Sequence, residues 1–474
     1  MSDGGTGRLR QLIGKAGWNL FDQALSSLTN IVLTLLVARQ SSDVGFGAFS
    51  TASLLFSLLI AVERAGVGQV LSIRHSEETD EGMRDVAARA FGTVLALVAP
   101  LGLLIAGVGV AYGEALRGPL LAIGLLMAPL LLQDTARMVF FAQSKPELAA
   151  LNDTVWAVVQ FTATGVLFVT GTASTTSLIV VWASSAGVAA LLAMVRLHAF
   201  PLLSAAVPWA RRHRALLGYL LPETLLTSGG DKVAYFAVTG MIGLAGLGAV
   251  NGARQVLNPL LIITSAAVTF MIPEISRRDT LTPRVRRLIG LALGVAMAVA
   301  TLAYVGLVLL LPSSVGRWAM GDTWAGIETV LLPMGVFSAA SAACAGPFIV
   351  IAGMGHAKRT FRLTVLQTIL LPLMPAGAFF DGARGAAWGL ALNAMILLPF
   401  WVVSLSQVAN EGPIPEEEPD VLPADGGLPA TSGARKGAEH PMAEAVDPLG
   451  TIPIPLGFGR PIPRARPDDP TGRG

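Results

Sequence analysis

Long apolar segments, separated by short polar loops, repeat along the chain from Trp18 to Ala409. Each segment is about 20 residues long, which is the length that a helix needs to cross a hydrocarbon core about 30 Å thick. In lipid, only a helix satisfies its own backbone hydrogen bonds over such a length. The pattern therefore predicts an all-α, polytopic membrane protein with about 12 transmembrane helices.

The expected spans fall into two groups of six. The first group is 17–38, 46–72, 88–112, 119–142, 152–171 and 175–197, and the second is 216–241, 247–272, 286–311, 326–353, 362–380 and 385–408. This division predicts an N-terminal half at 17–200 and a C-terminal half at 216–410. A cytoplasmic N-terminus at 1–16 precedes them, and a basic cytoplasmic linker at 201–215 joins them.

The two halves resemble each other at an offset of 201 residues. Gly45 and the seven residues after it align with Gly246 and the seven residues after it, and each segment opens a long apolar helix. In the same register Asp22 falls on Glu223. Because six spans return the chain to the side where it began, both halves have one orientation. We therefore predict a parallel, pseudo-symmetric repeat of the kind found in transporters.

Basic residues distinguish the two sides of the membrane. If the N-terminus is cytoplasmic, the inside segments hold the basic clusters at 8–15, 211–214 and 284–287. The outside loops then hold only Arg39, Arg117, Arg317 and Arg384. This asymmetry follows the positive-inside rule and predicts that both termini are cytoplasmic.

Composition agrees with a membrane protein and limits its chemistry. The 474 residues are 53% hydrophobic and 14% charged, and the mean hydropathy is +0.64, too apolar for a soluble domain of this length. The net charge of +2 does not favour nucleic acid as a partner. A single cysteine, Cys344, provides no disulfide framework. Without a GxxxxGK[ST] loop or paired Cys/His motif, we expect no P-loop ATP hydrolysis, no metal and no cofactor.

The character of the chain changes after Asn410. Residues 411–474 are rich in Pro and Gly, open with three glutamates at 416–418, and cannot bury a core. We expect a disordered, Pro-rich cytoplasmic tail. Such a tail either has no specific partner or uses motifs such as Ile452-Pro-Ile-Pro to dock a cytoplasmic protein.

Cations inside the predicted spans are the first candidates for a functional role. An ionisable group at membrane depth is costly and usually faces a cavity or an opposite charge. Three such cations lie in helices that the repeat pairs: Arg64, Lys232 and Arg254. They would suit an anionic substrate, since phosphate oxygens match the arginine fork. We interpret these three residues as candidates for substrate binding in a central cavity.

Acids inside the spans are the second group of candidates. Asp134 and Arg137 lie three residues apart on one helix face, which favours a structural ion pair over a ligand site. Asp22, Asp231 and Glu223 are candidates for coupling transport to an ion, although Asp22 and Glu223 could instead lie at the cytoplasmic water interface.

Six short segments carry a family resemblance across residues 17–410. In the first half they are Asn19-Leu-Phe-Asp-Gln-Ala-Leu-Ser-Ser-Leu-Thr-Asn, Leu36-Val-Ala-Arg and Phe46-Gly-Ala-Phe-Ser. In the second half they are Ser228-Gly-Gly-Asp-Lys-Val, Leu247-Gly-Ala-Val-Asn-Gly-Ala-Arg and Ile272-Pro-Glu-Ile-Ser. In these segments the chain resembles the multidrug/oligosaccharidyl-lipid/polysaccharide (MOP) flippase superfamily, specifically its Wzx-like polysaccharide branch.

The resemblance implies two six-helix bundles around a central cavity that opens alternately to each side of a bacterial inner membrane. It also implies a transporter, not an enzyme, that flips an oligosaccharide linked to polyprenyl phosphate or pyrophosphate. Such a transporter serves lipopolysaccharide or exopolysaccharide export. Its implied partners are this lipid-linked oligosaccharide, membrane lipids and, through the tail, glycan-assembly proteins.

Two other functions remain open at this point. An ion-coupled small-molecule exporter of the MATE type would use the same architecture, although basic cavity residues speak against cationic drugs. A membrane enzyme of glycan assembly would need essential acids near an outside loop, for example Glu114, Asp322 or Glu328.

Overall fold

A computed structural model describes residues 28–277 and 281–413. Within these ranges the regular structure is helical and no strand occurs, which confirms the predicted all-α class. Eight helical stretches are long and apolar enough to cross a membrane by themselves. Breaks at Gly243 and at Asp381 and Gly382 divide two of these stretches. These divisions give ten helices, and Leu28–Gln40 and Pro146–Val169 bring the number to twelve in the described residues, six in each half.

The first six helices form the N-lobe. They are α1 (Leu28–Gln40), α2 (Asp43–Arg74), α3 (Asp80–Ala111), α4 (Glu114–Ala142), α5 (Pro146–Val169) and α6 (Thr175–Leu197). The predicted cytoplasmic N-terminus and the beginning of the first predicted span lie outside the described residues.

The second six helices form the C-lobe. They are α7 (214–242), α8 (244–276), α9 (Pro283–Leu310), α10 (Trp324–Gly353), α11 (357–380) and α12 (383–411). Gly243, with a φ of +71°, separates α7 from α8 in a conformation that glycine adopts at little cost. Both breaks fall between predicted spans. The predicted tail lies outside the described residues beyond position 413.

Helix packing is the same in the two lobes. In the N-lobe, α4 packs against α2, α3 and α6, and in the C-lobe α10 packs against α8, α9 and α12. Small residues allow close approaches between helices, such as those between Gly102 and Gly124 in one lobe and between Gly294 and Gly346 in the other. The matching pattern confirms two pseudo-symmetric six-helix bundles.

The lobes meet where α2 crosses α8. A Cβ atom added to Gly47 would lie 1.9 Å from the carbonyl oxygen of Leu244, and one added to Gly248 would lie 3.1 Å from the backbone nitrogen of Gly47. Asn251 Nδ2 donates a hydrogen bond to Ser50 Oγ at 3.1 Å. Gly47 and Gly248, like Ser50 and Asn251, are 201 residues apart. Residues that the repeat makes equivalent therefore lie against each other on a pseudo-twofold axis.

A small cavity lies beside this crossing, at the end of the molecule that the charge distribution predicts to be outside. Its volume is about 210 Å³, and Asp43, Phe46, Gly246 and Thr323 are among the residues that line it. Pockets for drug-sized ligands measure about 300–1,000 Å³. The cavity at this end is therefore smaller than a pocket for a drug-sized ligand.

The linker between the lobes folds back onto the N-lobe. It contains a short helix, Ala206–Arg212, and Trp209 Nε1 of this helix donates a hydrogen bond to the carbonyl oxygen of Gly66 at 3.1 Å. Gly66 belongs to a π-helical turn of α2, Arg64–Gly68. A backbone carbonyl in this irregular turn thus accepts the hydrogen bond that holds the linker.

Two histidines pack against Trp209 beside the contact between the linker and α2. His213 directly follows the linker helix and packs on Trp209, and it lies next to His75 at the end of α2. Burial lowers the pKa of His213 to about 4 and also lowers the pKa of His75. Burial therefore favours the neutral form of both rings.

The α2–α8 crossing predicts which glycines tolerate a larger side chain. We expect Gly47→Ala to lower the melting temperature of the purified protein by several degrees, because overpacking costs about 1–3 kcal/mol. Gly107→Ala is the matched control, since a Cβ atom at Gly107 meets nothing within 4 Å. Equal melting temperatures for the two variants, measured by thermal unfolding in detergent, would contradict the close approach.

Candidate functional site

The first buried charge cluster joins α2 to α4. Arg64 binds both carboxylate oxygens of Asp134, with Nε 2.9 Å from Oδ2 and Nη2 2.8 Å from Oδ1. The side chains are 12% and 5% exposed. A two-point contact of this kind fixes the guanidinium in one orientation as well as neutralising it. Arg64, predicted to line a cavity, is thus anchored to a neighbouring helix of its own lobe.

The cluster extends from Asp134 to α5. Arg137 lies 4.0 Å from Asp134 and 3.6 Å from Asp153, and Gln133 Nε2 donates to Asp153 Oδ1 at 2.7 Å. The ion pair between Asp134 and Arg137 is therefore present, but each residue has a shorter contact to another partner. We call the connected residues the N-lobe charge cluster: Glu63, Arg64, Gln133, Asp134, Thr135, Arg137 and Asp153.

Glu63 is the most deeply placed acid of this cluster. Its residue is 1% exposed, and its Oε1 accepts a hydrogen bond from Thr135 Oγ1 at 2.8 Å. Its Oε2 is buried without a hydrogen-bond partner among the described residues. Leaving a buried polar atom unpaired is costly, so Glu63 is an additional candidate for an ion-linked role. Glu63 and Asp153 are absent from the residues that the sequence analysis selected.

The second charge cluster joins α7 to α8 in the C-lobe. Lys232 Nζ lies 3.0 Å from Asp231 Oδ2, and Arg254 Nη1 lies 3.9 Å from the same oxygen. Arg254 also donates to the hydroxyl of Tyr235 at 3.3 Å, and its guanidinium lies 5.6 Å from the centre of that ring. These four residues form the C-lobe charge cluster. It brings together both C-lobe cations that were predicted to bind substrate and one predicted coupling acid.

A π-helical turn accompanies each cluster. Arg64 is the first residue of the turn Arg64–Gly68, and the turn Leu225–Gly229 ends two residues before Asp231. Single π-turns inside long helices occur frequently at functional sites, because the extra residue re-aims the side chains beside it. Their position next to the buried charges supports a functional role for both clusters.

Of the two remaining coupling candidates, Glu223 is not part of these contacts. Glu223 is half-buried in α7, and its backbone carbonyl accepts a hydrogen bond from Thr227 Oγ1 at 2.9 Å. Asp22 lies outside the described residues. The coupling roles of both acids stay predictions, as do the substrate-binding roles of Arg64, Lys232 and Arg254.

The charged side chains of the two clusters are able to bind charged substrates. Within residues 28–277 and 281–413, no group of three or more His, Cys, Asp or Glu side chains is arranged to hold a metal ion. The site instead offers arginine and lysine side chains that are held by carboxylates at membrane depth. Such pairs can exchange one anionic partner for another without leaving a charge unpaired.

Comparison with solved structures identifies the fold. The chain is similar to a multidrug-resistance MATE family transporter of the MOP superfamily in an inward-facing conformation, with a TM-score of 0.65 and 14% identity over 81% of this chain and 94% of that one. It is also similar to the lipid II flippase MurJ in an inward closed conformation, with a TM-score of 0.63 and 10% identity over 83% and 87% of the chains. Neither a family model nor a curated protein matches the sequence.

These similarities show a shared fold, that of the twelve-helix transporters, and agree with a multi-pass membrane protein. The TM-score falls to 0.56, at 14% identity over 85% of this chain and 96% of the other, against an outward-facing structure of a MATE family transporter of the MOP superfamily. Since exporters and a flippase have the same fold, the fold alone does not select the substrate.

The pairing of Arg64 with Asp134 predicts a large effect on stability. Arg64→Ala leaves a buried carboxylate without its two-point partner, and breaking one side of a buried pair costs about 3–5 kcal/mol. We expect a lower melting temperature and a lower yield in the membrane. The double variant Arg64→Met/Asp134→Leu removes both charges and should recover most of the loss.

Arg89→Ala provides the control, because the pair of Arg89 with Asp85 is exposed and contributes about 0.3–0.5 kcal/mol. Thermal unfolding and size-exclusion chromatography of the detergent-solubilised variants measure both quantities. An Arg64→Ala protein as stable as the Arg89→Ala protein would exclude a structural role for the pair.

Proposed function

We propose that the protein flips a lipid-linked oligosaccharide from the inner to the outer leaflet of a bacterial cytoplasmic membrane, by alternating access, for surface polysaccharide synthesis. The observation that carries this proposal is the C-lobe charge cluster, in which Lys232 and Arg254 flank the carboxylate of Asp231. Cations at membrane depth suit the phosphate or pyrophosphate of a polyprenyl carrier. The fold shared with transporters, including a lipid II flippase, supports the transport class.

The distances in the C-lobe cluster suggest how a phosphate would bind. Lys232 is 1% exposed and has the shorter contact to Asp231, whereas Arg254 is 12% exposed and has the longer one. An incoming phosphate would therefore take Arg254 as its partner, since a guanidinium binds two phosphate oxygens at once. Asp231 would keep Lys232, so no buried charge loses its counter-ion. This exchange lowers the barrier to binding and release of the substrate.

The same exchange offers a route to ion coupling. When a phosphate approaches, the negative charge of Asp231 next to it becomes unfavourable, and a proton or Na⁺ bound at Asp231 would relieve the repulsion once a phosphate oxygen replaces Asp231 as the counter-ion of Lys232. We propose Asp231 as the coupling acid of the C-lobe, with Asp22 and Glu223 as further candidates. The coupling ion would then enter and leave in step with the substrate.

The α2–α8 crossing is where the two lobes would move relative to each other. In the described conformation, close contact at Gly47 and Gly248 closes the predicted outer end. Separation of the lobes at this crossing would open a path for the glycan, while the polyprenyl chain stays in lipid. The lobes would then rock as rigid bodies around the charged site, as in other transporters built from repeats.

A second candidate function is ion-coupled export of small molecules. The N-lobe charge cluster favours it, because Glu63, Asp134 and Asp153 place three acids in one lobe. Carboxylates suit cationic drugs, and MATE transporters share the fold. Arg64 and Arg137 contact two of these acids, however, so the cluster contains cations as well as anions. We therefore rank this function below flipping of a phosphate-linked glycan.

Depletion of the protein separates the two functions. We expect a complete lipid-linked repeat unit to accumulate several-fold on the cytoplasmic side, because synthesis continues while translocation stops. Mass spectrometry of polyprenyl-linked glycans, combined with a leaflet-accessibility assay, measures the amount and side. An unchanged lipid-linked pool with intact surface polysaccharide would contradict the flippase function and favour the exporter.

Substitution of Arg254 tests the proposed phosphate contact. We expect Arg254→Ala to reduce translocation by at least about tenfold, which corresponds to the loss of one charge-assisted contact of roughly 1.5–3 kcal/mol. Arg254→Lys should retain part of the activity, because it keeps the charge but not the two-point geometry. Arg384→Ala, at an exposed arginine on the predicted outer side, is the control. Full activity of Arg254→Ala at normal protein levels would exclude the contact.

A further inference from the structure

The two histidines at the junction of the N-lobe and the linker face each other through one ring nitrogen each. His75 Nε2 and His213 Nε2 are 3.4 Å apart, and the residues are 6% and 7% exposed. His75 ends α2, and His213 connects the short linker helix to α7. The pair therefore joins two segments that are 138 residues apart in the chain.

The other ring nitrogen of each histidine faces a group that only accepts hydrogen bonds. His75 Nδ1 lies 3.3 Å from the carboxylate oxygen Oε1 of Glu78, and His213 Nδ1 lies 3.1 Å from the backbone carbonyl of Trp209. Each contact is a hydrogen bond only if the Nδ1 atom carries the hydrogen. In neutral rings with this tautomer, both Nε2 atoms are bare. Two lone pairs then lie on atoms 3.4 Å apart, and a cation shared between them makes that contact favourable.

The distance between the two Nε2 atoms matches the distance between two nitrogen ligands of one metal ion. Zn–N bonds of about 2.0–2.1 Å at a tetrahedral angle place two nitrogen ligands about 3.3–3.4 Å apart. A metal-bound histidine also donates its second N–H to a carboxylate or a backbone carbonyl, which orients the ring. Glu78 and the Trp209 carbonyl occupy these two positions. The pair thus has both the ligand spacing and the outer hydrogen bonds of a metal site.

We propose that His75 and His213 bind one divalent transition-metal ion of the Zn²⁺ class. No third His, Cys, Asp or Glu side chain completes the site within the described residues, so water would fill the remaining positions. Arg74 and Arg212 place positive charge near both rings, which disfavours a bound cation. The carboxylate of Glu78, next to His75, offsets part of this charge. These features predict a readily exchangeable ion rather than a permanent structural one.

The position of the site gives the ion a regulatory effect. A bound ion would fasten the linker to the end of α2, immediately before the first helix of the C-lobe. Trp209, which holds the π-helical turn of α2, packs against both histidine rings. Metal binding would therefore restrain the movement of one lobe relative to the other. Only this effect on transport rests on the proposed function, whereas the metal site does not.

Metal titration of the full-length, tag-free protein in detergent tests the site. We expect isothermal titration calorimetry to show one equivalent of Zn²⁺, and Co²⁺ substitution to give a visible absorption band. His75→Gln and His213→Gln should each weaken binding by at least about tenfold, and Glu78→Gln by a similar factor. His198→Gln is the matched control, because His198 is an exposed histidine elsewhere in the chain.

A cysteine variant separates metal binding from a hydrogen bond between the rings. His213→Cys keeps a ligand for Zn²⁺ but removes the imidazole, so we expect it to retain binding that His213→Gln loses. Unchanged melting temperatures without metal would show that these variants are folded. Absence of Zn²⁺ binding to the unsubstituted protein, or equal binding in His213→Gln, would overturn the proposal, including the case in which the rings share only a proton.

Hydrogen exchange tests the effect on the linker without a transport assay. We expect Zn²⁺ to slow amide exchange in residues 203–213 several-fold in the unsubstituted protein and not in His75→Gln. Binding without slower exchange would overturn the restraint on the linker. If exchange slows but Zn²⁺ leaves glycan translocation unchanged, the metal site stands and the proposed regulation of transport fails.

Discussion

The need to neutralise charge at membrane depth is the constraint on which the site depends. Removing an ion from water is so costly that an ionised side chain in a transmembrane helix requires a partner from a neighbouring helix. Arg64 meets this need through Asp134, and Arg254 meets it through Asp231. Each pair ties one helix to another, so the charged groups hold each lobe together. The contacts between the lobes at the α2–α8 crossing include instead glycine contacts and the hydrogen bond between Ser50 and Asn251. We therefore expect the lobes to move as units.

The helical spans were predictable because each is determined by local hydrophobicity. The break at Gly243 lies between two predicted spans, and the equivalence of Gly47 and Gly248 follows from the repeat. The partners of the charged residues were not predictable in the same way. Asp134 has a possible partner three residues away in Arg137, but its shortest contact is to Arg64, 70 residues earlier. The spacing of residues along one helix can be read from a sequence. The side that one helix presents to another depends instead on the packing of the whole lobe.

Glu63 and the histidine pair show the same limit. Glu63 is next to Arg64 in the chain, yet its burial against Thr135 depends on how α2 packs on α4. Similarly, His75 and His213 lie in separate polar segments that are predicted to be cytoplasmic, and neither residue by itself indicates a site. They become neighbours because Trp209 binds the carbonyl of Gly66, which the π-helical turn leaves available. Irregular backbone, such as this π-helical turn, thus determines which side chains come into contact. The helix propensities of the residues do not reveal such a turn.

The contact between Ser50 and Asn251 has a consequence for the origin of the architecture. In a symmetric dimer, a residue on the twofold axis touches its own copy in the partner subunit. Here two residues that the repeat makes equivalent touch each other inside one chain. The crossing of α2 and α8 therefore has the form of a homodimer interface enclosed in a single polypeptide. Duplication of a six-helix unit would account for this form, although the two copies differ: serine faces asparagine, and each lobe has its own set of buried charges.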